Sequence, residues 1–203
     1  EDHDEFFELA FEKEIEDLMR KNVELDEALT NQMLEQAKKI SPLIIPQVVK
    51  HFGDYEVFSV EERLMQDISE VDEEYKFKGF IDLVLKTDDG KYHIIDWKTC
   101  SWGWDAKKRS DKYVTYQLTL YKKFFCEKHD IDPSLVETHF ALLKRTAKKD
   151  NVEIFRVTSG PRKTKNAMDL LCKAIKTISK NFAFKNRMSC RGCEFVNSEH
   201  CPR

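Results

Sequence analysis

Apolar residues recur at helical spacing through the first forty positions, at Phe7, Phe11, Ile15, Leu18 and Met19 and again at Leu25, Leu29, Met33 and Ala37. Ser41-Pro42 reads as an N-cap followed by a first-turn proline, which predicts a separate short helix ended by Gly53. From Tyr55 the period changes to two and predicts strands over about 55–64, 75–86 and 91–99. A polar loop, 101–111, follows. Helical spacing returns over 112–129 through Tyr113, Gln117, Leu120, Tyr121 and Phe124. Val136–Lys144 and Val152–Val157 predict two further strands, and a last helix spans about 162–181. This order predicts an α/β fold, a mixed central sheet flanked by helices. With no repeat and no Pro/Gly/Ser-rich linker, residues 1–203 read as a single domain: an N-terminal helical layer (1–53), a core (54–160) and a C-terminal helix with a cysteine-bearing tail (161–203).

The segment Phe77 to Thr99 carries the chemistry. Its turn, Asp88-Asp89-Gly90, suits a three-residue hairpin loop with glycine in the left-handed position. That register sets Thr87 against Lys91 and Asp82 against Asp96. A two-residue loop on Asp89-Gly90 would instead put the aspartates on opposite faces. The first register brings Asp82, Asp96 and Lys98 to one face with Phe80, Val84 and Ile94. Opposed like charges weaken a strand pair, the more so among apolar neighbours that reduce hydration. A divalent cation compensates, and Mg²⁺ or Mn²⁺ needs only a couple of protein carboxylates plus water and substrate phosphate. Lys98 would then stand beside the nucleophilic water. The plainer reading is a cross-strand Asp–Lys ion pair.

Composition narrows the class. Among 203 residues, 14 Phe, 3 Trp and 6 Tyr supply a core that excludes a disordered chain. No apolar run is long enough to span a membrane, and the acidic start lacks the features of a signal peptide, so a soluble, cytoplasmic protein is expected. The net charge of −3 hides a division: residues 1–40 hold 13 acids and 5 bases, whereas 141–203 hold 15 bases and 5 acids. The basic end would attract a polyanion, or it is a set of solvated helix faces. Lys107, Lys108, Arg109 and Lys112, near Trp102 and Trp104, suit phosphate contacts and base stacking, a solvated basic loop being the alternative. Cys100, Cys126 and Cys172 are scattered in apolar surroundings, whereas Cys190, Cys193 and Cys201 cluster near the end.

Gly79-Phe80-Ile81-Asp82, then Asp96-Trp97-Lys98-Thr99, then Gln117-Leu118-Thr119-Leu120-Tyr121 follow the order GxxD, (D/E)xK, QxxxY. This order resembles the RecB-like branch of the PD-(D/E)xK nuclease superfamily, which includes the nuclease domains of RecB and AddB, CRISPR adaptation nucleases and many phage nucleases. The resemblance implies a restriction-endonuclease-like core and a Mg²⁺- or Mn²⁺-dependent DNA nuclease, an exonuclease in recombination, repair, or phage or CRISPR DNA processing. It implies Asp82 and Asp96 as metal ligands, the Trp97 carbonyl as a further one, and Lys98 as the catalytic lysine. Gln117 and Tyr121, one helical turn apart, would position DNA or the lysine. Members of the branch commonly add a histidine from an N-terminal helix. His3 and His51 fit that role loosely, and Glu12, Glu16 or Glu62 are substitute ligands. Cys190-x2-Cys193-x7-Cys201 resembles the cysteine triplet that completes an iron–sulfur cluster; a cluster or Zn²⁺ is implied, with His200 or Cys172 as candidate fourth ligand, and reduced thiols as the alternative. DNA, single-stranded or as duplex ends, is the implied partner, with a helicase or recombination protein beside it and no membrane. Two other readings stay open: a non-catalytic DNA-binding or scaffolding subunit, and a metal-ribbon module that contacts a protein partner.

Overall fold

A computed structural model describes residues 3–71, 75–182, 189–199 and 201. The N-terminal layer is two helices, α1 (His3–Arg20) and α2 (Glu27–Phe52). Asp26 starts α2 by accepting the Leu29 N–H at 3.0 Å, and Gly53, at φ 75°, ends it with its N–H on the Val49 carbonyl. The break expected at Ser41-Pro42 is absent: α2 runs 26 residues with Pro42 and Pro46 inside it. Each proline deletes one intrahelical bond, yet Ile40 and Val48, on either side of the pair, are both buried. Packing of that face outweighs the local preference for a stop.

Five strands follow in sheet order: β1 (Tyr55–Asp67), β2 (Lys76–Thr87), β3 (Tyr92–Cys100), β4 (Val136–Lys144) and β5 (Val152–Val157). β1–β2, β2–β3 and β4–β5 pair antiparallel, while β3 and β4 pair in parallel. The parallel crossover is made by α3 (Ala106–Ser110) and α4 (Lys112–His129). The expected loop at 101–111 therefore contains one helical turn, capped by Asp105, which accepts the Lys108 N–H at 2.7 Å. α5 (Pro161–Ser179) closes the chain of elements. This is a restriction-endonuclease-like arrangement.

The sheet has a helical layer on each face. Under α4 and α5, Leu64, Ile81, Val84, Ile94 and Phe140 pack with Leu118, Phe124, Phe125, Met168 and Ile175. Under α2, Val48 and Phe52 meet Leu85, Ile95, Ala141 and Ile154. Burying each of the Val, Leu, Ile, Met and Phe side chains among these stabilises the fold by roughly 1.5–3 kcal/mol, so β3 is packed from both faces at the point where its functional residues begin.

Candidate active site

The β2–β3 hairpin has the expected register. Thr87 N–H bonds the Lys91 carbonyl at 3.0 Å, Gly90 sits at φ 79°, and Leu83 faces Ile95. The ladder stops there. β2 continues to pair with β1 and β3 with β4, so the two strands part just before Asp82 and Asp96 would meet. Asp82 Oδ2 takes over from the missing backbone partner and accepts the Trp97 N–H at 2.7 Å. In a strand the N–H and C=O of one residue point to the same side, so the Trp97 carbonyl is directed toward this opening as well.

Alternation along β2 slips at the same place. Ile81 and Val84 both enter the core beneath α4 although they are three residues apart. Opposite them, Glu61 of β1 has φ 47°, between the pairs Val60–Leu83 and Glu62–Ile81. The slip corrects one expectation. Phe80 does not share the buried face with Val84 and Ile94; it is 43% exposed, with Lys78 over its ring.

Asp96 lies on the α4 face, one strand period beyond Ile94 and beside Phe140 of β4. It is 2% exposed. Lys98 Nζ stands 2.5 Å from its Oδ2, a charge-paired contact that sets one ammonium against this buried carboxylate. Burial pushes the Asp96 carboxyl above the usual carboxylate range; Lys98 opposes the rise and Asp82 adds to it. A buried carboxylate that feels a second carboxylate and meets a single ammonium fits a hard divalent cation, for which oxygen is the preferred donor.

The helical motif joins the hairpin through a glycine. A Cβ on Gly79 would fall 2.7 Å from Tyr121 Cε1, so the position is empty because the tyrosine ring fills it. Tyr121 is itself buried, and Gln117 Nε2 donates to its hydroxyl at 3.0 Å. Gly79, Gln117 and Tyr121 thus form one packed unit three residues from Asp82.

Other candidates lie elsewhere. Glu16 is exposed on α1 and paired with Arg20 at 3.1 Å. Glu62 is drawn toward the end of α4 by Lys128 and by His129, the latter at 3.0 Å; burial alone would raise its carboxyl, but these bonds hold it below the ordinary value. His51 ends α2 beside Phe52 and His139, away from the carboxylates. The side chain of His3 lies outside the described residues.

The basic segment divides. Arg109 is bound into the fold: Nε donates to the Trp104 carbonyl at 2.9 Å, Nη2 to Glu153 at 2.6 Å, and the guanidinium lies over Phe155. It is not a free phosphate contact. Trp104 is likewise core, 8% exposed against Phe140, and does not offer a stacking face to a base. Lys107, Lys108, Lys112 and Trp102 are exposed. In the tail, Cys190 and Cys193 are exposed and Cys201 partly so. Their sulfurs do not gather as a set of three donors among the described residues, and His200 lies outside those residues. Cys172 is half-buried on α5. Among the described residues, these cysteines do not by themselves assemble a zinc or cluster site.

An opened hairpin that brings two carboxylates and an ammonium to one place suits a cation-dependent phosphodiester hydrolase. The comparisons agree with that class. The chain belongs to the PD-(D/E)XK nuclease superfamily, whose family model matches residues 1–201; these nucleases are hydrolases that use divalent metal ions. Among solved structures, it resembles a "Putative exonuclease" from Eubacterium rectale, with 16% identity over 96% of this chain and 70% of that one, and a TM-score of 0.58. A second similar structure, SSO0001, shares 20% identity over 92% of this chain and 77% of that one, with a TM-score of 0.47. No curated protein matches the chain significantly in sequence. No helix among the described residues is long and apolar enough to cross a membrane.

Proposed function

We propose that this chain is a Mg²⁺- or Mn²⁺-dependent deoxyribonuclease, an exonuclease that works from DNA ends in recombination, repair, or phage or CRISPR DNA processing in the cytoplasm. The observation that supports this most is Asp96: a buried carboxylate, displaced upward in pKa by that burial and paired with Lys98, at the point where β2 and β3 separate. Asp82, Asp96 and the Trp97 carbonyl would hold the cation. When bound, the ion supplies positive charge to the phosphate oxygens and lowers the pKa of a bound water.

The chain's own residues do the rest. The Trp97 N–H fixes the orientation of Asp82, so that carboxylate is preorganised before substrate arrives. Lys98, about one-third exposed, keeps its ammonium at the boundary between the buried carboxylate and solvent. There it orients the attacking water and balances the negative charge that develops on the phosphate. Gln117 and Tyr121 position the strand or the lysine from α4. Lys107, Lys108 and Lys112 bind the phosphate backbone, whereas Arg109 acts by anchoring α3, which carries the first two, to β5. A helicase or recombination protein would present the DNA end.

The test is cleavage of labelled DNA with Mg²⁺, Mn²⁺ or EDTA by the wild type, Asp82→Ala and Lys98→Ala. Cation-dependent cleavage that is lost in both folded variants supports the assignment; full activity in either variant would sink it. Release of mononucleotides or short oligonucleotides from ends, and no cut in closed circles, is the outcome expected of an exonuclease.

A further inference from the structure

A second cluster of ligating side chains lies on the other face of the sheet. His93, the second residue of β3, stands opposite Glu137 of β4, and His139 follows Glu137 by one strand period. The three share the α2 face, whereas Asp96 faces α4, so the sheet separates this cluster from the carboxylates. His93 Nδ1 is 3.2 Å from His139 Nε2, and each of these nitrogens is 4.0 Å from Glu137 Oε2. Among the described residues, this is the group of three His, Cys, Asp or Glu donors that comes within 4.8 Å. None of the three has a role in the reaction proposed above.

The surrounding bonds decide which atoms carry lone pairs. Asp89 is a fully ionised acceptor at the hairpin turn, held low first by Thr87 and then by Lys91. The Thr87 hydroxyl therefore gives its proton to Asp89 Oδ1 at 2.6 Å. It then has only a lone pair for His93 Nε2, 3.1 Å away, so that nitrogen carries the hydrogen. Nδ1 of a neutral His93 is left with its lone pair toward His139. A polar group on the distal nitrogen that fixes the tautomer is the usual outer support of a metal-bound histidine. His139, 2% exposed, has no partner for its Nδ1, so its Nε2–H donates to His93 Nδ1 and gives up that hydrogen when an ion binds. Arg156 holds Glu137 Oε1 at 3.3 Å and Lys91 stands 3.9 Å from it, while Oε2 turns to the histidines.

We propose that His93, Glu137 and His139 form a transition-metal site of the zinc class, separate from the carboxylate pair, whose fourth position opens into the adjoining cavity. Two imidazoles and one carboxylate suit Zn²⁺ rather than Mg²⁺. Ligands about 2.0–2.1 Å from a tetrahedral ion stand about 3.3 Å apart, so the two nitrogens are already at the required spacing and the carboxylate needs to close by about 0.7 Å. The cavity, about 380 Å³ and lined also by His51, Asp54 and Asp88, admits water to the fourth position. The ion would clip β3 to β4 three residues before Asp96.

Zn²⁺ stoichiometry and affinity, measured on the full chain after chelator treatment, test this. Glu137→Gln and His93→Gln should each bind one equivalent fewer than wild type, or bind it at least tenfold more weakly. They should also lose the Zn²⁺-dependent rise in melting temperature. Asp82→Asn/Asp96→Asn and Cys190→Ser/Cys193→Ser/Cys201→Ser should retain that equivalent, which distinguishes this site from the nuclease centre and from the tail. Co²⁺ in the cysteine variant should give a tetrahedral visible spectrum without thiolate charge transfer. Glu137 is only part-buried, so its conservative variant keeps the fold, which circular dichroism checks. Wild-type stoichiometry and affinity in folded Glu137→Gln and His93→Gln would overturn the proposal, as would an equivalent lost only with the aspartates.

Discussion

Gly79→Ala should destabilise the protein through one side chain, Tyr121. The backbone at Gly79 lies outside the left-handed region, so alanine is conformationally acceptable there, and by limiting the unfolded chain it would by itself add about 0.4–1 kcal/mol. Against this, the new methyl would lie 2.7 Å from Tyr121 Cε1 and 3.2 Å from Phe77 Cε1. Carbon atoms rest at about 3.5–4.0 Å, so the ring must retreat by nearly an ångström, away from Phe77 and from the Gln117 amide that bonds its hydroxyl. Overpacking of this kind costs about 1–3 kcal/mol. A net loss of about 1–2 kcal/mol is expected, a fall of roughly 2–8 °C in Tm for a domain of this size. Urea unfolding of wild type, Gly79→Ala, Tyr121→Ala and the double variant reads the coupling directly. Tyr121→Ala alone should cost about 3–5 kcal/mol. In its background Gly79→Ala should cost nothing or stabilise slightly, a coupling of about 1–3 kcal/mol. If Gly79→Ala is equally harmful with and without the tyrosine ring, the contact does not explain the glycine.

Other outcomes follow from the same geometry. The raised pKa of Asp96 means that the folded state holds this proton more tightly than the unfolded chain, a stabilisation present at low pH and lost as pH rises through the folded value; at neutral pH Asp96→Asn should therefore leave the thermal melting temperature unchanged or higher while abolishing cleavage. His139, pushed down to about 3 by burial with His93, His51 and Arg156 adding, has the opposite dependence. With EDTA present, stability should be full above about pH 6.5 and fall by about 1.4 kcal/mol per pH unit below it, and His139→Gln should flatten that slope in urea titrations. Arg109→Ala should cost about 1–2 kcal/mol of stability, because Glu153 and the Trp104 carbonyl lose a donor. Lys107→Ala/Lys108→Ala should cost no more than about 1 kcal/mol, from the Lys108–Trp104 ring contact, but weaken DNA binding and reduce its salt dependence by roughly 1–2 units of slope.

Local rules made the hairpin legible. Asp88-Asp89-Gly90 determines the loop, the loop determines the register, and the register brings Asp82 toward Asp96. Most strand limits also followed from the change of period. What was hidden depended on distant partners. The continuity of α2 through Pro42 and Pro46 rests on the burial of Ile40 and Val48, and no local pattern announces it. The exposure of Phe80 follows from a slip opposite Glu61, a residue on another strand. Arg109 looked like a phosphate ligand because Glu153 lies 44 residues away. The spacing His-x-Glu-x-His is not present in the chain; His93 and His139 meet only because β3 and β4 pair in parallel, so composition and motif gave no sign of that cluster.

The central claim is that the opening between β2 and β3 hydrolyses DNA with a divalent cation. It is tested most directly by following end-labelled duplex DNA with wild type and Asp96→Asn, in Mg²⁺ and in EDTA, at equal concentrations of folded protein. The expected result is progressive loss of the end label by wild type in Mg²⁺, and none in EDTA or with Asp96→Asn, which still melts cooperatively. Undiminished cleavage by Asp96→Asn, or by wild type in EDTA, would contradict the claim.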